Sequence, residues 1–146
     1  MNELINLLAQ QEENLNSLLV VITDYQKALI AGDLPNMELF LDIEQKRLAS
    51  IQSNLETQQN LIKNISERNN LNLSSFSIKK LVDVLPSGAK ETIKLNKIMK
   101  SLKILAGQIT EKNRLNGLLI NQSRNFIKEL IISIIHNNKN LLDRKI

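Results

Sequence analysis

Apolar positions in the first half of the chain recur at alternating spacings of four and three, and they do so twice. Leu4, Leu8, Gln11, Leu15, Leu18, Ile22, Tyr25 and Leu29 form one series; Met37, Leu41, Glu44, Leu48, Ile51, Leu55, Gln58 and Ile62 form the other. Folding the chain back at Gly32-Asp33 gives each position of the first a partner in the second, with residue numbers summing to 66. Leu29 then meets Met37, Tyr25 meets Leu41, Leu18 meets Leu48, Leu15 meets Ile51 and Leu4 meets Ile62. A four-three repeat is the seam of a coiled coil, where side chains interlock along one stripe. A short turn makes consecutive helices antiparallel neighbours. The pattern therefore predicts a helical hairpin, a rod with long faces and no enclosed site.

The first helix is expected over residues 2–31 and ends at Gly32, where a left-handed cap carries no Cβ penalty. Asp33 is a good N-cap for a second helix over 34–69, with Pro35 tolerated in its first turn. The two would be about 45 and 54 Å long at 1.5 Å per residue. The Asn and Ser cluster from Asn69 to Ser75 predicts a loop. Ser77 can cap a short helix over 78–85, with Phe76 and Leu81 placed as a hydrophobic staple and Pro86 closing it. Ser87 then begins a long helix over 88–140 whose inner positions start as Leu95, Ile98, Leu102, Leu105 and Ile109. Gly107 and Gly117 each cost that helix about 1 kcal/mol relative to Ala, which leaves open whether it is continuous or bent near either.

Composition agrees with a single helical domain over residues 1–146. There are four Gly and two Pro in 146 residues, too few for a loop-rich β fold or a disordered chain, and aromatics are only 3%. The fold class is all-α: a long antiparallel coiled-coil hairpin plus a short helix and a long C-terminal helix, a three-helix bundle-like rod. The absence of Cys excludes disulfides, thiolate zinc sites and a thiol nucleophile. The start Met-Asn-Glu lacks the features of a signal peptide, and the apolar stretch 126–135 is interrupted by Lys128 and Glu129. A membrane span needs roughly 20 apolar residues, so no membrane insertion and a cytoplasmic location are expected. The net charge of +4 hides an asymmetry: residues 1–73 carry five basic and ten acidic side chains, residues 74–146 fourteen and five. The basic half either packs beside the acidic hairpin or meets an acidic partner.

No residue set points to catalysis. His136 stands beside Asn137 and Asn138 with no acidic cluster, which reads as a solvated side chain. Helical metal sites need several ligands converging on one face, and neither H-E-x-x-H nor paired E-x-x-H occurs. Glu44 falls on the hairpin seam opposite Ile22, where one carboxylate more often sets register than does chemistry. Ser87 to Thr92 lacks the glycine spacing and preceding strand of a phosphate loop. Lys90, Lys94, Lys97, Lys100 and Lys103 wander around their helix without aromatics, so they read as a solvated face and no nucleic-acid partner is expected. No enzyme activity, metal or cofactor is expected.

The unusual stretch is Leu115 to Ile135. Asn113 and Asn116 sit near the inner stripe, and Lys112, Asn116 and Ser123 make it weakly polar. Phe126, Ile127, Leu130, Ile131, Ile132, Ile134 and Ile135 then spread around most of the helix, whereas packing on one neighbour needs a stripe only about 100° wide. A single hairpin cannot cover such a helix along its length. Two readings follow: burial in a three-helix core or a homodimer, or a surface that takes up a partner's amphipathic helix.

At these residues the chain resembles the FlgN-type flagellar export chaperones. The resemblance runs from Ala28-Leu29-Ile30-Ala31-Gly32-Asp33 and Lys46-Arg47-Leu48 to the short helix closed by Leu85-Pro86. It is most specific at Asn113-Arg114-Leu115-Asn116-Gly117-Leu118-Leu119-Ile120, similar to the family's N-x-x-N-x-x-L-I pattern. It implies a cytoplasmic, non-enzymatic escort for the type III export system. Such an escort binds the C-terminal helices of hook–filament junction proteins, prevents their premature assembly and delivers them to the export gate or ATPase complex. It implies that binding lies on the C-terminal helix, here Leu119, Ile120, Ser123, Phe126, Ile127, Leu130, Ile131 and Ile134. Residues 140–146 carry neither the Tyr nor the Gly common in the tails of such proteins. The rival readings are a chaperone for another secreted subunit, a coiled-coil tether, and a basic nucleic-acid binder.

Overall fold

The computed structural model describes the backbone of residues 1–145 and the side chains of residues 1–121 and Ile132. It is all-α, with α1 over Asn2–Ala31, α2 over Leu34–Arg68, α3 over Ile78–Val84 and α4 over Lys90–Lys145. Local chemistry sets most of these ends. Gly32 adopts the left-handed conformation at φ 67°, its N–H turned back on the carbonyls that end α1. The Asp33 carboxylate accepts from the Asn36 N–H at 3.3 Å and from the Asn36 side chain at 2.6 Å, capping α2. Ser77 Oγ accepts from the Lys80 N–H at 3.3 Å, capping α3.

Two local expectations change. Phe76, placed to clasp Leu81 from outside α3, is exposed and lines a groove with Leu55 and Ile62. Helix α4 begins at Lys90 instead of Gly88, after a turn in which the Ala89 N–H donates to the Pro86 carbonyl at 3.1 Å. It then runs unbroken through Gly107 and Gly117 to Lys145, past the expected end at 140. Two glycines at about 1 kcal/mol each are too small a penalty to interrupt 56 helical residues.

Helix α1 is the middle element. It packs antiparallel to α2 and parallel to α4, while α2 and α4 nowhere bring Cα atoms within 8 Å of each other among the described residues. The parallel pairing shows in the level at which Asn116 of α4 meets Ile22 of α1, far along both helices. It also shows at the opposite end, the base, where Leu4 and Leu8 pack with Ile62, Ile65, Leu81 and Leu95 in one apolar cluster. Helix α3 closes that cluster from below with Leu81, which is fully buried. Burying a side chain of this size stabilises the fold by about 1.5–3 kcal/mol. The Gly32 turn forms the other end of the hairpin, the tip.

The hairpin seam differs from the mirror expected from sequence. The α2 residues that are buried are Asn54, Gln58, Ile62, Ile65 and Ser66. Leu41, Leu48 and Leu55 are 41, 47 and 43% exposed. The cause is hydrogen bonding across the seam. Asn54 Nδ2 donates to the Leu7 carbonyl at 3.0 Å, and Gln58 Nε2 donates to Asn54 Oδ1 at 2.7 Å. Gln11 Nε2 donates to the Ile51 carbonyl at 3.2 Å, four residues short of the partner, Leu55, that a constant sum assigns it. These amides turn their own face of α2 toward α1 and leave the leucine row on its flank.

Candidate protein-binding surface

The inner stripe of α4 starts as expected. Leu95 and Leu105 are buried, and Ile98, Leu102 and Ile109 are half-buried, against α1 and the base. Beyond Ile109 the contact with α1 turns polar. Lys112 Nζ donates to Gln26 Oε1 at 3.1 Å. Asn116, only 3% exposed, donates through Nδ2 to the Ile22 carbonyl at 3.1 Å. Its Oδ1 is buried with no hydrogen-bond partner. A buried acceptor left unpaired costs about 1–3 kcal/mol. Asn113, expected near the stripe, is exposed. Arg114 pairs outward with Glu111 at 2.7 Å, and its hydrogen bond holds that carboxyl below the usual range.

Leu119 and Ile120 come next and are half-buried. Ser123, Phe126, Ile127, Leu130, Ile131 and Ile134 lie outside the described side chains, as does His136, although the helix itself runs through them. The register sets a limit on what α1 can do for this part of α4. At Asn116 the partner is Ile22, which leaves nine residues of α1 against twenty-nine of α4. The first helix is too short to accompany α4 to its end.

Two surfaces were not foreseen. One is a largely apolar crevice of about 630 Å³ between α1 and α4, formed by Leu19, Thr23, Ile104, Gly107 and Leu115. Ile104 and Leu19 stand beside the four-three series, and only the placement of α4 on α1 makes them neighbours. The other is the α2 flank of Leu34, Leu41, Leu48 and Leu55, all exposed. The seven-residue spacing was visible in the sequence but pointed equally well inward.

Glu44 is half-buried on α2, and desolvation raises its pKa above the ordinary 4.5. Burial of the Tyr25 ring, and secondarily the Glu44 charge, raise the phenol in turn. This pair sits on the hairpin seam. Lys90, Lys94, Lys97, Lys100 and Lys103 are all exposed on α4. Thr92, from the stretch weighed as a phosphate loop, is buried inside α4 with Oγ1 unpartnered. Among the described residues no three His, Cys, Asp or Glu side chains converge on a metal site, and no helix is long and apolar enough to cross a membrane.

Long open helix faces, a half-satisfied contact behind the distal helix and an apolar run within it define a helical protein-binding module. No curated protein and no solved structure matches the chain. The family model described as FlgN protein matches residues 1–141, and the chain belongs to that family. It is, in general terms, a flagellar export chaperone.

Proposed function

We propose that the chain is a cytoplasmic, non-enzymatic chaperone of the flagellar type III export system whose clients are the hook–filament junction proteins. It covers their C-terminal helices, keeps them from assembling early and hands them to the export gate. The client helix lies on α4 along Leu119, Ile120, Ser123, Phe126, Ile127, Leu130, Ile131 and Ile134. The observation that carries this reading is the mismatch of lengths. Helix α4 has 56 residues and α1 has 30, so a segment rich in Ile and Leu extends further than its own scaffold can follow. An amphipathic client helix docks to such a face by burying its own stripe.

The test is size-exclusion chromatography with light scattering, with and without the C-terminal segments of the two junction proteins. A soluble one-to-one complex that Leu130→Asp abolishes, while circular dichroism stays helical, is the expected result. Loss of helicity in that variant would make Leu130 a core residue and move the site. A complex with a different secreted subunit alone would keep the chaperone and change the client.

A further inference from the structure

Helix α2 carries four leucines at seven-residue spacing, Leu34, Leu41, Leu48 and Leu55, and all are exposed in the protomer. A row of this kind spans three heptads, about 32 Å, the length at which a coiled-coil seam becomes a distinct unit. The residues three and four positions away from these leucines are its neighbours on the helix face. Between Met37 and Gln59 they include Glu38 and Glu44 and no Lys or Arg. Lys46, on a different face, is paired with Asp42 at 3.1 Å.

The same chain contains a second row of matching length. Ile120, Ile127, Ile134 and Leu141 stand at seven-residue spacing within α4. Their neighbours three and four positions away include Arg124, Arg144 and Lys145 and no Asp or Glu. The two rows are complementary in spacing, length and charge. They cannot meet within one copy. Helix α4 runs from base to tip and is level with Ile22 at Asn116, so it heads away from its own α2 row, which descends from the tip toward the base.

We propose that two copies associate tip to tip, each laying the distal row of α4 along the α2 leucine row of the other. In this arrangement α4 of one copy runs parallel to α2 of its partner, and residues 120, 127, 134 and 141 meet 34, 41, 48 and 55. The constant offset of 86 also sets Arg124 against Glu38, an opposite-charge pair that fixes the register. The contact is the same patch used twice, as a two-fold dimer requires. It does not rest on the identity of the proposed client, but it uses Ile120, Ile127 and Ile134 of the same surface, so a second copy and a client helix compete for that row.

Light scattering on the full chain alone tests it. The expected mass is twice 16.6 kDa, falling to the monomer on dilution. Leu48→Glu should give a monomer with unchanged helicity, because Leu48 is half-exposed in the protomer. The chain has no Cys, so a Leu48→Cys, Ile134→Cys double variant reports the pairing directly. Oxidation should convert it to a disulfide-linked dimer at concentrations where the wild type is dimeric, and this readout holds even if Leu48→Glu unfolds. A chain that stays monomeric at every concentration would overturn the proposal, as would a dimer that survives Leu48→Glu with no disulfide in the double variant. A monomer that still binds client one to one would remove this dimer and leave the chaperone reading in place.

Discussion

The base and the tip of this molecule use the same central helix in opposite ways. At the base, α1 offers Leu4 and Leu8, and α2, α3 and α4 close over them with Ile62, Ile65, Leu81 and Leu95. The members of that cluster are apolar and their burial removes a large apolar area from water, although Thr92, one turn before Leu95, buries an unpartnered hydroxyl. Toward the tip, α1 meets α4 through Gln26 with Lys112 and through the Ile22 carbonyl with Asn116. Polar pairs of this kind contribute only about 0.5–1.5 kcal/mol net, and the unpaired Asn116 Oδ1 works against them. One end of α4 is anchored and the other is held lightly, which is what a helix needs if it is to fold reliably and still change partners. Local stability is rarely uniform, and binding segments are drawn from the weaker end.

The strongest test of that contrast is a pair of truncations on one helix. Leu95→Ala removes a fully buried side chain from the base and should cost about 3 kcal/mol, within the range of buried Leu→Ala changes. Leu119→Ala removes a half-buried one, and should cost about 1 kcal/mol or less. Urea unfolding followed by circular dichroism measures both. Equal losses would mean that α4 is anchored along its whole length, and the division into base and tip would fail.

A smaller effect of opposite sign should come from Asn116→Leu. The substitution gives up one hydrogen bond to a carbonyl that keeps its own helical partner, and it removes a buried acceptor that has none. The balance favours the variant by about 1 kcal/mol, read as a rise in the unfolding midpoint. If exchange at the distal helix depends on this weak turn, the same variant should take up client helices more slowly. A loss of stability would show that Asn116 is satisfied by a bound water and is no weak point at all.

How far the sequence could be read follows the same division. Gly32, Asp33, Pro35, Ser77 and Pro86 act within a few residues of themselves, and the helix ends they imply fall within a residue or two of those observed. The base was legible because apolar repeats find apolar partners whichever way the helices are turned. The seam of the hairpin was misread at Leu41, Leu48 and Leu55, because a four-three count gives a stripe but not the rotation of the helix that carries it. That rotation is set by Asn54 and Gln11 reaching backbone carbonyls more than thirty residues away. No local pattern reports such bonds. Within the candidate surface, Asn116 was placed correctly near the inner stripe and Asn113 was not, since an offset of three residues on a helix this long decides between buried and exposed. The sequence left the passage through Gly107 and Gly117 open; it is unbroken because their propensity penalty is small beside the cooperativity of so long a helix.

The mildest prediction concerns Glu44, the one acid on the hairpin seam. Burial disfavours its charged form, so the folded state holds the proton more tightly than the unfolded chain does. A group with a raised folded pKa favours folding while it is protonated in both states. That contribution is lost as pH rises from the ordinary value of 4.5 to the raised folded value. At neutral pH the ionised Glu44 therefore opposes folding slightly, the more weakly because it is half in solvent. Glu44→Gln should raise the thermal midpoint at pH 7, and the gain should shrink as the pH is lowered through 4.5. Thermal unfolding of the two proteins in parallel across that interval measures it. A difference that is constant with pH would mean the carboxylate reaches water freely. The row of Leu41 and Leu48 beside it would then be flanked by an ordinary surface charge.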